Sequence, residues 1–147
     1  MDKGEALMLD RQLCFPLYAA SRLVTQLYNP LLKELGITYP QYLALLVLWE
    51  KDGQPVSAIG RRLYLESNTL TPLLKRLEEK GMVVRKRSEE DERVVAVALT
   101  EKGRALKAKA VCIPEQIIGA LSAGEEAGEE AEQFRATLYK IIQRLST

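Results

Sequence analysis

Apolar residues recur at three- and four-residue steps between positions 10 and 35: Leu13, Leu17, Ala20, Val24, Leu27 and Leu31. That period predicts a long amphipathic helix. Asp10 is its candidate N-cap, and Pro16 should kink it or delay its start, because proline has no N–H to give. Thr38, Tyr39 and Pro40 open a second helix over 41–50, with Leu43, Leu46, Val47 and Trp49 apolar. A short amphipathic helix follows over 57–64, then a polar turn, Glu66-Ser67-Asn68. A further helix runs to about Lys80 and stops at Gly81. Its leucines, Leu70, Leu73, Leu74 and Leu77, keep helical spacing and should pack inward. Two β-rich runs, 82–87 and 93–99, are joined by a charged loop, with Val83, Val95, Val97 and Leu99 close to alternation. Residues 101–147 hold two more helical patterns, with a break near 122–128.

Helix, polar turn, helix and hairpin make a winged helix-turn-helix, which sets one helix in a DNA major groove and a basic hairpin beside it. Ser57 can cap the first of these helices, and Ser67 or Asn68 the second. Pro72 falls within about the first turn, where a missing N–H costs least. Gly81 suits the left-handed residue that ends a helix. Thr69, Thr71, Lys75 and Arg76 are left on the outer face. Short polar groups at the helix start suit base edges, and the cations beyond them suit phosphates.

The net charge is only +1, so overall composition does not advertise nucleic acid. The distribution does more, because Arg61, Arg62, Lys75, Arg76, Lys80, Arg85, Lys86 and Arg87 gather in the middle block. The chain has 147 residues, 47% of them hydrophobic, which is ample for one domain core. It contains no histidine. That removes Ser-His-Asp and Cys-His catalysis and every His-bearing metal site. The two cysteines are far apart and make no zinc pattern. No phosphate-binding or dinucleotide glycine motif occurs. An enzyme, a metal and a cofactor are therefore not expected. No apolar run reaches membrane-spanning length, and no signal peptide is evident. The expected compartment is the cytoplasm, where thiols stay reduced.

Long apolar helices at both ends, flanking a small reading unit, suggest a frame built from two copies. A symmetric homodimer would set two reading helices one DNA turn apart, ~34 Å. The alternative is a monomer whose end helices cover its own core. Cys14 stands near the start of the first helix, where free N–H groups and the helix dipole favour a thiolate. Tyr18, four residues on, shares its face, and Tyr28 and Tyr39 are further aromatics with polar tips. A thiolate held by phenolic donors suits peroxide chemistry. A cysteine among Leu and Phe is otherwise a small buried hydrophobe.

The segments LDRQLCFPLYAASR, GITYPQYLALLVLWE and LYLESNTLTPLLKRLEEKGMVVRKRSEEDERVVAVALTEKG resemble the MarR family, and within it the organic-hydroperoxide-sensing repressors of the OhrR type. The likeness spans roughly residues 9 to 115. The wing pattern D-x-R, here Asp91 and Arg93, marks the superfamily. The Cys14 and Tyr39 segments mark the peroxide-sensing branch.

The resemblance implies a mainly α fold with a small β-wing. It implies a single domain, 1–147, in which 1–37 and 101–147 form the dimer frame and 38–100 the winged helix-turn-helix. Cys14 matches the sensing cysteine. Tyr28 and Tyr39 match tyrosines that reach it from the partner subunit, and Tyr18 one nearby. Ser67, Asn68, Thr69 and Thr71 open the helix that enters the major groove. Arg93 matches a wing-tip arginine for the minor groove, held by Asp91, and Arg85 and Arg87 match the wing base. Pro16 departs from the pattern by replacing an ordinary helix former. Some relatives use a second cysteine for an intersubunit disulfide. Cys112, the possible resolving residue, lies earlier than that position by about two helical turns, ~11 Å. The implied partners are an inverted-repeat DNA operator, a second copy, an organic hydroperoxide and a low-molecular-weight thiol. Two rivals stay open: a MarR-type repressor gated by a small phenolic ligand, and a thiol peroxidase using Cys14.

Overall fold

The structure, a computed structural model, describes residues 2–122 and 128–146. The chain divides into two compact units, one ending at Val111 and the other beginning at Cys112. In the first unit two short 3₁₀ turns, Glu5–Leu7 and Leu9–Arg11, precede helix α1, Cys14–Glu34. Asp10 therefore caps nothing: it lies inside a 3₁₀ turn, and the N-cap of α1 is Leu13, with no side-chain bond. Pro16 is the third helical residue, in the turn whose N–H groups have no partner in any case. Pro30 lies deep within the same helix and withholds a bond from the carbonyl of Gln26.

Helix α2, Tyr39–Glu50, opens on a capping box. The backbone N–H of Gln41 donates to Thr38 Oγ1 at 3.4 Å, and the N–H of Thr38 donates to Gln41 Oε1 at 3.1 Å. The two-residue strand β1, Gln54–Pro55, leads into α3, Val56–Leu63. Ser57 is not its cap. The N-cap is Pro55, whose extended backbone (φ −62°, ψ 149°) places Val56 first and Ser57 second. The turn beyond α3 is tight: Tyr64 is left-handed at φ 57°, and the N–H of Leu65 donates to the Gly60 carbonyl at 3.0 Å. A Cβ on Gly60 would lie 2.8 Å from the Leu65 carbonyl oxygen, so glycine is required there.

Helix α4, Ser67–Glu79, is capped by Glu66 without a side-chain bond. Neither Ser67 nor Asn68 is spent as a cap. Pro72 is the sixth residue of α4, beyond the first turn, so it removes a bond to the carbonyl of Asn68. The end at Gly81 (φ 77°) is as expected: the N–H of Met82 reaches back to the Leu77 carbonyl at 3.0 Å. Leu70, Leu74 and Leu77 are fully buried with Ile59 and Leu45. Each buried leucine stabilises the unit by roughly 1.5–3 kcal/mol relative to exposure.

Strands β2, Val83–Arg87, and β3, Val95–Leu99, pair antiparallel, with Val83 opposite Leu99 and Arg87 opposite Val95. β1 adds to the far edge of β3, a third strand the alternation does not reveal, giving the order β1-β3-β2. β3 begins two residues later than expected because the N–H of Arg93 is taken by the Asp91 carboxylate at 3.0 Å. Helix α5, Glu101–Ala110, closes the unit.

The second unit holds α6, Ile113–Ser122, and α7, Gly128–Leu145. The C-terminal third thus has three helices among the described residues, where two patterns are expected. The extra break falls at Val111 and Cys112, because Pro114 has no N–H for the carbonyl of Ala110. Most of the glutamate-rich stretch, 123–127, lies outside the described residues. No described helix is long and apolar enough to cross a membrane.

Candidate nucleic-acid interface and thiol site

On α4, Ser67, Asn68, Thr69, Thr71, Lys75 and Arg76 are all exposed, while the leucines between them are buried. One side of the helix is therefore spent on the core, leaving hydroxyl, amide and cationic groups outside. Ser67, Thr71 and Arg93 line one groove of about 260 Å³ between the start of α4 and the wing. The reading helix and the wing tip thus share a surface, although they lie more than twenty residues apart in the chain.

The Arg93 side chain is 91% exposed and held in place by Asp91. Its Nε donates to Asp91 Oδ1 at 3.1 Å and a terminal nitrogen donates to Oδ2 at 3.2 Å. A fork held on a carboxylate in this way loses little freedom on meeting a second acceptor. The side-chain and backbone hydrogen bonds from Arg93 hold the Asp91 carboxyl below its ordinary range. Arg87 donates to the Glu92 carbonyl at 2.8 Å and braces the wing loop. Arg85 is differently placed. Its backbone N–H donates to Glu78 Oε2 at 2.9 Å and its Nε to Oε1 at 3.2 Å, so its fork is turned onto α4. Those bonds, the backbone one first, pull the Glu78 carboxyl down.

Cys14 is the first residue of α1 and is exposed. Tyr18 is exposed too, with the Arg22 guanidinium 5.6 Å from its ring centre. Tyr28 and Tyr39 do meet, with ring centres 4.8 Å apart. Tyr42, which sequence reasoning does not single out, completes the cluster at 5.8 Å from Tyr28 and 6.2 Å from Tyr39. Its signal is present: Tyr42 follows Tyr39 by three residues and shares its helix face. Burial, then repulsion from Tyr39 and Tyr42, pushes the Tyr28 phenol up to about 12. Burial also raises Tyr39 and Tyr42. All three therefore stay protonated near neutrality and keep an O–H to donate.

Fourteen residues of α1 separate Cys14 from Tyr28, a rise of ~21 Å. The cluster and the thiol of one chain sit too far apart to touch. The start of α1 also exposes an apolar face: Leu13 is 90% exposed and Leu23 62%, with Phe15, Leu17 and Leu27 between and beyond them. Cys112 is exposed, and its carbonyl accepts the first turn of α6 from Gln116 N–H at 3.2 Å. No group of His, Cys, Asp and Glu that could hold a metal occurs among the described residues.

A family model described as transcriptional regulator SarA/Rot matches residues 26–110. An organic hydroperoxide resistance transcriptional regulator of Bacillus subtilis (strain 168) is 51% identical over 144 residues, 98% of this chain and 96% of that one. AbfR of Staphylococcus epidermidis, solved reduced and bound to DNA, matches with a TM-score of 0.76 at 40% identity, over 99% of this chain and 100% of that one. Overoxidised AbfR bound to DNA matches with a TM-score of 0.75 at 41% identity, over 98% and 99% of the two chains. The chain belongs to the MarR family of winged-helix transcriptional regulators, in its organic-hydroperoxide-resistance branch.

Proposed function

We propose that this protein is a homodimeric repressor. Reduced, it binds an inverted-repeat DNA operator through Ser67, Asn68, Thr69, Thr71, Lys75 and Arg76 of α4 and through Arg87 and Arg93 of the wing. It releases that DNA when an organic hydroperoxide oxidises Cys14. The observation that carries this reading is the separation of two halves of one site. An exposed cysteine stands at the first residue of α1. Tyr28 lies ~21 Å further along the same helix, where it gathers with Tyr39 and Tyr42 of α2 into a cluster of protonated phenols. A second copy packed on the apolar face of α1 brings its cluster to Cys14, with residues 1–37 and 101–147 forming the frame and 38–100 reading DNA. Arg85 serves by fixing the wing base to α4.

The chemistry balances without a cofactor. The Cys14 thiolate attacks the distal oxygen of the hydroperoxide. An S–O bond forms, the O–O bond breaks, and the alkoxide leaves to take a proton as the alcohol. The sulfur is oxidised to sulfenic acid and the peroxide reduced. Phenolic O–H groups of Tyr28 and Tyr39, with Tyr18 nearby, donate to the charged sulfur and orient it. A low-molecular-weight thiol then condenses with the sulfenic acid, releasing water and leaving a mixed disulfide. AbfR has been solved on DNA both reduced and overoxidised. A few added oxygen atoms on a sulfur are a smaller change than a mixed disulfide, which favours the bulkier species as the release signal here.

The test is DNA binding by the purified reduced protein, repeated after one equivalent of cumene hydroperoxide with a small thiol present. Binding should be lost in the unmodified protein and kept in Cys14→Ser. A Cys14→Ser variant still released by peroxide would overturn the reading. Sustained turnover of peroxide with a thiol reductant, without any effect on DNA, would favour a peroxidase instead.

A further inference from the structure

Gln41 is the buried polar side chain of the core among the described residues, at 3% exposure. Its Oε1 accepts two hydrogen bonds: from the Thr38 N–H at 3.1 Å and from Lys80 Nζ at 2.7 Å. The same ammonium donates to the Gly36 carbonyl at 2.8 Å. Lys80 is the C-cap of the reading helix α4. Gly36 and Thr38 belong to the turn between α1 and α2, and Tyr39, a member of the phenol cluster, stands between Thr38 and Gln41 in the chain. One charged group thus spans from the segment that sets Tyr39 to the end of the helix that reads DNA.

The apolar core that seats α4 is of another kind. Leu70, Leu74 and Leu77 pack by apolar burial, which resists separation but has no preferred direction. A charge-assisted hydrogen bond of 2.7 Å is directional and loses strength within a fraction of an ångström. Toward the 36–41 segment, α4 is therefore held directionally at Lys80. We propose that Gln41 and Lys80 are a positioning pair that ties the setting of Tyr39 to the tilt of α4, so that a change at the thiol site reaches the DNA-reading surface through this bond. The proposal rests on the redox reading given above.

The test compares the unmodified protein, Lys80→Met and Lys80→Arg. Lys80→Met removes the donor and keeps the stem, while the capping box of Thr38 and Gln41 is left whole. The probe is a DNA duplex selected by the reduced protein from a randomised library, and the oxidant is cumene hydroperoxide with excess small thiol. Two quantities are read: the ratio of oxidised to reduced DNA Kd, and the emission change of Trp49, the single tryptophan. Trp49 lies edge-on to Tyr42 at 6.4 Å and so reports on the cluster.

In Lys80→Met the Kd ratio should fall by about 5-fold or more, with the Trp49 response retained. Lys80→Arg, which keeps cationic donors, should recover most of the ratio. An unchanged ratio in Lys80→Met would overturn the proposal. So would joint loss of the ratio and the Trp49 response, which would make Lys80 a builder of the thiol site rather than its link to α4. No oxidation effect in the unmodified protein would instead sink the redox reading, and this inference with it.

Discussion

Arg93, the side chain proposed to enter a DNA groove, is oriented within the protein. It is 91% exposed, yet bound at two nitrogens to Asp91, so its direction is set before DNA arrives. Arg93→Ala should weaken DNA binding by about 1–3 kcal/mol and lower the salt dependence, as for a lost groove contact. Equal affinity of variant and parent across a salt titration would remove the wing tip from the interface. Asp91 and Arg93 are legible in the sequence through the resemblance, as the D-x-R pattern of the wing, and their partnership is local, two residues apart. The partnership of Arg85 with Glu78 is not, since it joins two elements, and a run of basic residues reads as uniformly available cations. Gln41 is hidden for a similar reason. A glutamine at the third helical position reads as a solvated cap, and nothing local says that Lys80 will cover it. Tyr28 gives a pH signature with a definite sign. Its phenol titrates at about 12 in the fold against 10.0 ordinarily, so the unfolded chain holds fewer protons between those values. The stability from the neutral phenol is whole below pH 10 and is lost as pH rises toward 12. Melting temperature against pH over that window should fall less steeply in Tyr28→Phe. Identical slopes would contradict the burial assigned to the cluster.

At the scale of elements, the helix stops are better marked than the starts. Gly81 ends α4 where expected because only a left-handed residue lets Met82 bond back to Leu77. Starts shift because side-chain caps are optional. Pro55 and Glu66 supply extended backbones, and that suffices to begin α3 and α4. β1 escapes notice because two residues carry no alternation; it exists only as an addition to the edge of β3. The leucine face of α4 is the firmest element-level expectation, and its energetics are testable. Leu74 is fully buried, so Leu74→Ala should cost about 2–5 kcal/mol in denaturant unfolding. A loss below 1 kcal/mol would mean that α4 is not seated on this core.

For the whole molecule, the proposed second copy would account for the apolar residues along α1 and α7. Phe134 is 60% exposed and Leu145 80% on α7, and Leu13 90% on α1. Single exposed leucines need no explanation, but faces of this extent do. Sequence periodicity shows that these faces exist and leaves open what covers them, since a helix that packs within its own chain has the same pattern. Cys112 bears on the oxidised assembly. It sits in the turn ahead of α6, with Pro114 just beyond limiting local adjustment, and a disulfide needs Cα atoms within about 7 Å. Cys112→Ser should leave peroxide-induced release intact when a small thiol is supplied, with monomer-sized chains on non-reducing electrophoresis. A dominant dimer-sized band that vanishes in Cys112→Ser would make the intersubunit bridge the switch.

If the sensing site is complete only where two copies meet, mixed dimers will reveal it. One chain carries Cys14→Ser with its tyrosines intact. The other keeps Cys14 and carries Tyr28→Phe and Tyr39→Phe. The measurement is the rate of DNA release by cumene hydroperoxide and a small thiol. If each thiol is served by the partner's phenols, the mixed dimer holds one whole site and should release DNA faster than a homodimer of either variant. A mixed dimer no more sensitive than those homodimers would show that Cys14 does not depend on the partner's cluster.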